Sequence, residues 1–326
     1  MRHPIRRPIP TGHSGLPVAV AIAVAALCVC GGARAAPTVA SGTPENVAYA
    51  DVLRLPLAAS PRRVDYGTEP LQYGELWLPT APQAGAARSG APQANAPLVV
   101  MVHGGCWLNA FSVDHTRPMA AALAQAGFAV WSLEYRRSGD AGGGWPGTLQ
   151  DIRRALDALP RLGGQPPAGQ PPAGQPSPLH GVDLARVAVV GHSAGGHLAL
   201  LAARGRAEVR LVVGLAAIVD PATYGQGDNS CQRAVPQFMG GSAAQFPERY
   251  RLADAAAVPS RTPTVLLHGA VDAIVPVSQA RLAGATVGII PGAGHFDWLH
   301  PDTPAFARLR ELLRDGLRPR PSPVRR

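Results

Sequence analysis

The segment Gly191-His192-Ser193-Ala194-Gly195 sets a serine between glycines, where the apolar run Val187 to Val190 gives way to the apolar stretch Gly196 to Ala203. A serine on a sharp strand-to-helix turn requires small neighbours, because larger side chains there would meet the adjoining strand and helix. The start of the helix also directs backbone N–H groups towards negative charge that develops beside the serine. The chemistry this pattern supports is nucleophilic attack by Ser193 on a carbonyl carbon. Some ninety residues earlier, His103-Gly104-Gly105-Cys106-Trp107 follows the apolar run Leu98 to Val102. Consecutive glycines let a turn present N–H groups, which a tetrahedral oxyanion requires.

Both motifs depend on strands that end at one edge of a sheet, and the chain supplies them. Val64 to Tyr66 and Leu71 to Leu78 read as short edge strands. From Leu98 the runs LVVMVHGG, FAVWSLEY, RVAVVGHS, LVVGLAAIVD and TPTVLLHG are separated by the helical stretches Met119 to Gln125, Thr148 to Leu159 and Gly196 to Ala203. A helix over Val277 to Leu282, a strand over Thr286 to Ile290 and a helix over Pro304 to Arg314 are expected to follow. Continuous apolar strands alternating with helices predict an α/β fold with a mostly parallel central sheet covered on both faces. We assign this domain to residues 61–317. Within it, residues 163–180 hold the repeat GQPPAGQPPAGQP, whose composition reads as a solvated loop insertion. Residues 221–258 break the alternation and are expected to form a small cap-like segment over the strand ends. Residues 36–60 show no period and read as an irregular N-terminal arm.

With these elements in place the sequence resembles the α/β-hydrolases, in particular the bacterial esterases and the kynurenine formamidase-like group that carry an HGGxW oxyanion loop. HGGCW, GHSAGGH and the late GAGHFDW carry the resemblance, which spans residues 60 to 315. It implies oxyanion donors at the N–H groups of Gly105, Cys106 and Ala194, although many related lipases have a third glycine where this chain has Cys106. It also implies the chain order nucleophile, acid, histidine. His295, on a glycine-flanked loop, stands where the family keeps its base. His192, His197 and His268 compete for that role: the first is too close to Ser193, the second lies on the following helix and the third ends a buried strand. Asp272, in LLHGAVDAIVP, is the expected acid, orienting His295 and stabilising its protonated form; Asp220 and Asp297 are its rivals. Trp107, Tyr135, Trp145, Phe238 and Trp298 are expected around a substrate pocket or in the core.

The formal charge is +9, but eight arginines lie in residues 1–35 and in the basic tail 318–326, leaving +1 between them. A near-neutral body without a basic stripe argues against nucleic acid as a partner. Arg2, Arg6 and Arg7 precede the uncharged run Leu16 to Cys30 and the small-residue site Ala33-Arg34-Ala35, which reads as a signal peptide cleaved after Ala35. The expectation is an exported protein, periplasmic or secreted, with no stable membrane insertion after cleavage. Cys106 and Cys231 would remain, either as a disulfide or as buried thiols. No metal-ligand spacing or phosphate loop is present, so no cofactor or metal is expected. The reaction expected is hydrolysis of a small-molecule carboxylic ester through an acyl-enzyme. The alternatives are an arylformamidase acting on N-formylkynurenine, a serine exopeptidase, and an inactive hydrolase fold used for binding.

Overall fold

The computed structural model describes residues 46–57, 59–79, 95–164, 177–257, 259 and 261–319. Eight strands form one sheet: β1 (Arg62–Asp65), β2 (Tyr73–Trp77), β3 (Ala96–Val102), β4 (Ala129–Leu133), β5 (Val182–His192), β6 (Val209–Leu215), β7 (Thr264–Gly269) and β8 (Thr286–Ile290), in the order β1-β2-β4-β3-β5-β6-β7-β8. β2 runs antiparallel to β1 and β4, and the pairs from β4 through to β8 are parallel. The mostly parallel sheet read from the apolar runs is therefore present.

The continuous runs are apolar because both faces of the central strands are covered. Along β3, Leu98, Val100 and Val102 pack into a core shared with α3 (Gly147–Leu162) and α4 (Ala194–Ala202). Val99 and Met101 point the other way, into a core shared with α2 (Arg117–Gln125) and α9 (Pro304–Gly316). Alternation at period two thus divides one run between two helical layers. Because the five strands from β3 to β7 and their neighbour β8 share one polarity, the loops bearing His103, Ser193, Asp272 and His295 lie at their C-terminal ends. A crevice outside the carboxyl ends of parallel strands is where α/β sheets place ligands.

Two expectations need correction. The N-terminal arm is not irregular over its described part: Tyr49–Arg54 forms a helix, α1, with Val52 wholly buried. The helix expected over Val277 to Leu282 is a single 3-10 turn, Val277–Gln279. Pro276 and Gly284, whose φ is +80°, bound that stretch, and the buried Gln279 side chain accepts hydrogen bonds from Val219 and Asp220 N–H instead of facing solvent. The cap-like segment is four short helices, α5 (Pro221–Tyr224), α6 (Ser230–Arg233), α7 (Val235–Met239) and α8 (Pro247–Ala253), whose buried side chains belong to the α3/α4 core. The signal peptide, residues 165–176 of the loop insertion and residues 320–326 of the tail lie outside the described residues. Among the described residues no helix is long and apolar enough to cross a membrane.

Candidate active site

Ser193 sits between β5 and α4 at φ 57° and ψ −122°, a conformation that L side chains rarely adopt. The turn is over-determined. Ser193 N–H donates to Leu215 O at 2.8 Å, and its carbonyl accepts from Gly196 N–H at 2.9 Å. A Cβ on Gly195 would fall 2.2 Å from His103 O, so glycine is demanded by the approach of the β3 loop. This is the steric reason for the small residues in GHSAG. Ala194 is the first residue of α4, so its N–H has no intrahelical acceptor.

The HGGCW loop takes positive φ at three successive residues, 105° at Gly105, 54° at Cys106 and 58° at Trp107. Only glycine visits such φ without steric cost, so Cys106 and Trp107 are held there by other contacts. Cys106 is disulfide-bonded to Cys231 in α6, with Cα atoms 5.1 Å apart. The fully buried Trp107 ring stacks on Phe238 of α7 at 4.7 Å. Both anchors lie in residues 221–258, so that segment is clamped to the loop it borders. The two cysteines left open as disulfide or thiols are a disulfide.

Glu134, just after β4, braces the same loop from behind. It bonds the His103 ring at 2.9 Å and Arg137 at 3.0 Å, and accepts from Val113 N–H at 3.1 Å and Tyr135 N–H at 3.0 Å. Tyr135 hydroxyl donates to His103 O at 2.7 Å, and its ring stacks on the His103 ring. Burial works to raise the Glu134 carboxyl, but His103, Arg137 and the Tyr135 N–H outweigh it and hold the pKa at about 2. A carboxyl depressed on folding stabilises the native state above its ordinary pKa of 4.5, and that contribution is lost as pH falls through about 2. Glu134→Gln is expected to cost about 3 kcal/mol at neutral pH. Thermal unfolding followed from pH 6 to pH 2 checks this: the gap between wild type and variant closes below pH 4.5, and a constant gap would contradict the assignment.

Asp272 and His295 meet. His295 Nδ1 lies 2.8 Å from Asp272 Oδ2, while Asp272 Oδ1 accepts from Ile274 N–H at 2.8 Å and Val275 N–H at 2.9 Å. Burial would raise the Asp272 carboxyl, yet the bond and charge of His295 and the two N–H donors bring its pKa below the ordinary value. Bonding through Nδ1 directs Nε2 of the same ring away from the acid. Ser193 and His295 border one cavity of about 150 Å³, together with Gly105, Cys106, Cys231, Tyr49, Phe111, His115, His192, Asn229, Ser230, Ile274 and Phe296.

The rivals have other occupations. Asp220 caps α5 through Ala222 and Thr223 N–H. Asp297 accepts from Val47 N–H at 3.2 Å and Gly294 N–H at 3.1 Å, tying α1's approach to the His295 loop. His192 is wholly buried, with a pKa well below the usual imidazole range chiefly through burial, and its Nε2 lies 2.9 Å from His295 O. A neutral ring must donate there, so His192 holds the backbone of His295. His197 Nε2 lies 2.7 Å from Ala253 O, and burial lowers its pKa to about 4. His268 Nε2 lies 2.8 Å from Val275 O, behind Asp272.

The expected pocket residues do not line the cavity. Trp107, Tyr135, Phe238 and Trp298 are fully buried core, and Trp145 packs against that core through Phe238. Tyr49, Phe111, His115 and Phe296 are the rings the sequence reading missed. Among the described residues no cluster of three or more His, Cys, Asp or Glu side chains is arranged to hold a metal ion.

Sheet order, elbow and loop define an α/β-hydrolase fold. The family model described as BD-FAE matches residues 89–161 and 177–286, more than half of the chain, and the chain belongs to that family. It is 28% identical over 274 residues to esterase LipC of Mycobacterium tuberculosis (strain ATCC 25618 / H37Rv), covering 73% of this chain and 60% of LipC. It is 26% identical over 216 residues to the probable carboxylic ester hydrolase LipM of the same organism, covering 57% of this chain and 43% of LipM. The chain thus spans about half the length of the curated relatives it matches. Esterase B from Lactobacillus rhamnosis (HN001) superposes with a TM-score of 0.60 at 21% identity, covering 78% of this chain and 83% of that one.

Proposed function

We propose that the chain is a serine hydrolase that cleaves small carboxylic esters through an acyl-enzyme. The observation that carries the reading is His295, bonded to Asp272 and bordering the same cavity as Ser193, whose backbone is held in the strained elbow. In this reading Ser193 Oγ attacks the ester carbon as His295 takes its proton, and Asp272 stabilises the imidazolium. The N–H groups of Gly105, Cys106 and Ala194 receive the oxyanion. His295 then gives the proton to the departing alcohol, and water, deprotonated by the same ring, releases the acid. The names of the two relatives, esterase LipC and probable carboxylic ester hydrolase LipM, agree with an ester substrate.

Labelling by a fluorophosphonate and turnover of p-nitrophenyl butyrate beside N-formylkynurenine test it. Labelling with ester turnover dominant is expected; dominant turnover of the formamide would move the reading to an arylformamidase, and folded protein without labelling would favour a binding role. The disulfide also supports export, since such bonds persist in oxidising compartments. N-terminal sequencing of protein recovered outside the cytoplasm is expected to begin at Ala36.

A further inference from the structure

The helix α1 brings a side chain into the cavity. Tyr49 borders it and sets its ring against three others: edge-on to Phe111 with centroids 5.6 Å apart, and tilted against Phe296 at 5.5 Å and His115 at 5.6 Å. The helix is anchored by the buried Val52 and by the Val47–Asp297 hydrogen bond, so Tyr49 is not on a loose arm. Elsewhere the lining includes the Cys106–Cys231 disulfide and Ile274, whose carbonyl accepts from Tyr224 hydroxyl at 3.1 Å and Asn229 Nδ2 at 2.9 Å. Walls tied down in this way do not withdraw to admit a long chain. The cavity volume is about 150 Å³. A cavity of that size accepts a molecule such as benzene, about six non-hydrogen atoms.

We propose that Tyr49 is a specificity-determining residue that closes the acyl seat and restricts the enzyme to esters of short acids, up to about the size of butyryl. The proposal rests on the esterase reading of the same site. The two parts of an ester make different demands on a cavity of this size. When the Ser193 Oγ–carbon bond forms and the ester C–O bond breaks, the alcohol takes the proton carried by His295 and departs, so it can extend through the mouth. The acyl group stays bonded to Ser193 until water attacks, and must be housed for that time. A side chain that limits the cavity therefore limits the acid, not the alcohol.

The test holds the leaving group constant and varies the acid, with p-nitrophenyl acetate, butyrate, hexanoate and octanoate as substrates of wild type, Tyr49→Ala and Tyr49→Phe. For wild type, kcat/KM for octanoate is expected at least about tenfold below that for butyrate, since a pocket discriminates single methylenes by about that factor. Tyr49→Ala should raise the octanoate-to-butyrate ratio about tenfold, and Tyr49→Phe, which keeps the ring, should leave the ratio near that of wild type. Ile274→Ala widens the cavity at another point of its lining and carries the same expectation if Tyr49→Ala does not fold. A wild-type profile that is flat or rises with chain length would overturn the proposal, as would an unchanged ratio in folded Tyr49→Ala, or in Ile274→Ala where Tyr49→Ala does not fold. Phosphonate labelling separates the two levels of failure: labelled protein with the wrong chain-length profile overturns the role of Tyr49 alone, whereas unlabelled folded protein overturns the esterase reading beneath it.

Discussion

Replacing Ser193 by alanine is expected to lower kcat/KM for p-nitrophenyl butyrate about 10⁶-fold and to abolish phosphonate labelling, the scale seen when an assembled nucleophile is removed. Asp272→Asn should cost about 10⁴-fold with the fold intact, for a reason visible in the hydrogen bonds. Oδ1 of Asp272 accepts two N–H groups, from Ile274 and Val275, so an asparagine would keep its oxygen there and turn its NH₂ towards His295 Nδ1. Nδ1 would then accept, and the ring proton would move to Nε2, the nitrogen needed to take the serine proton. Activity lost in Ser193→Ala and combined with Asp272→Asn should not add, because the two residues act as a unit. Asp220→Asn is the control. Should it fall as far as Asp272→Asn, or Asp272→Asn keep near-normal activity, the acid is misassigned.

How far the sequence carried the argument depends on whether sterics or side-chain direction decided the point. Ser193 and the HGGCW loop were legible because close backbone approach demands glycine at Gly195 and a φ of 105° demands it at Gly105, and glycine is visible in a sequence. Chain order in the resemblance sets aside Asp297 but not Asp220, and Asp272 is preferred for its place on the loop after the strand Thr264 to Leu267; the structure places Asp272 on His295 and gives the other two acids capping and bridging duties. The pocket rings were misread because proximity to a strand end says nothing of where a ring points. Trp107, at φ 58°, is turned down into the core against Phe238, and Tyr135 is drawn beneath the loop by His103. Tyr49 escaped notice for a different reason. A six-residue helix is too short to show a period, and what holds it, the carboxylate of Asp297, lies 250 residues away along the chain. The same long-range geometry hides the disulfide, whose partners are 125 residues apart.

Cys231→Ser is expected to destabilise the protein by about 4 to 5 kcal/mol and to lower kcat as well. The first effect follows from the 125-residue loop the bond closes: chain entropy alone gives about 4.7 kcal/mol for a loop of 100 residues, which corresponds to a fall of about 10 °C or more in Tm. The second follows from what the bond holds. Cys106 and Trp107 occupy backbone conformations that cost on the order of 1–3 kcal/mol each, and the disulfide and the Trp107–Phe238 stack are two of the restraints that oppose relaxation. With one restraint gone, the Cys106 N–H spends less time where an oxyanion would form. Full loss of one such donor costs about 10²–10³ in kcat, so a loosened one should cost about tenfold, with KM nearly unchanged because the donor acts on the transition state. Wild-type protein treated with a reductant that opens the bond should match Cys231→Ser in both Tm and kcat. A fall in Tm with kcat intact would show that the Trp107 stack and the Glu134–His103 bracing suffice to hold the loop. It would also remove the Cys106 N–H from the groups whose placement depends on the disulfide.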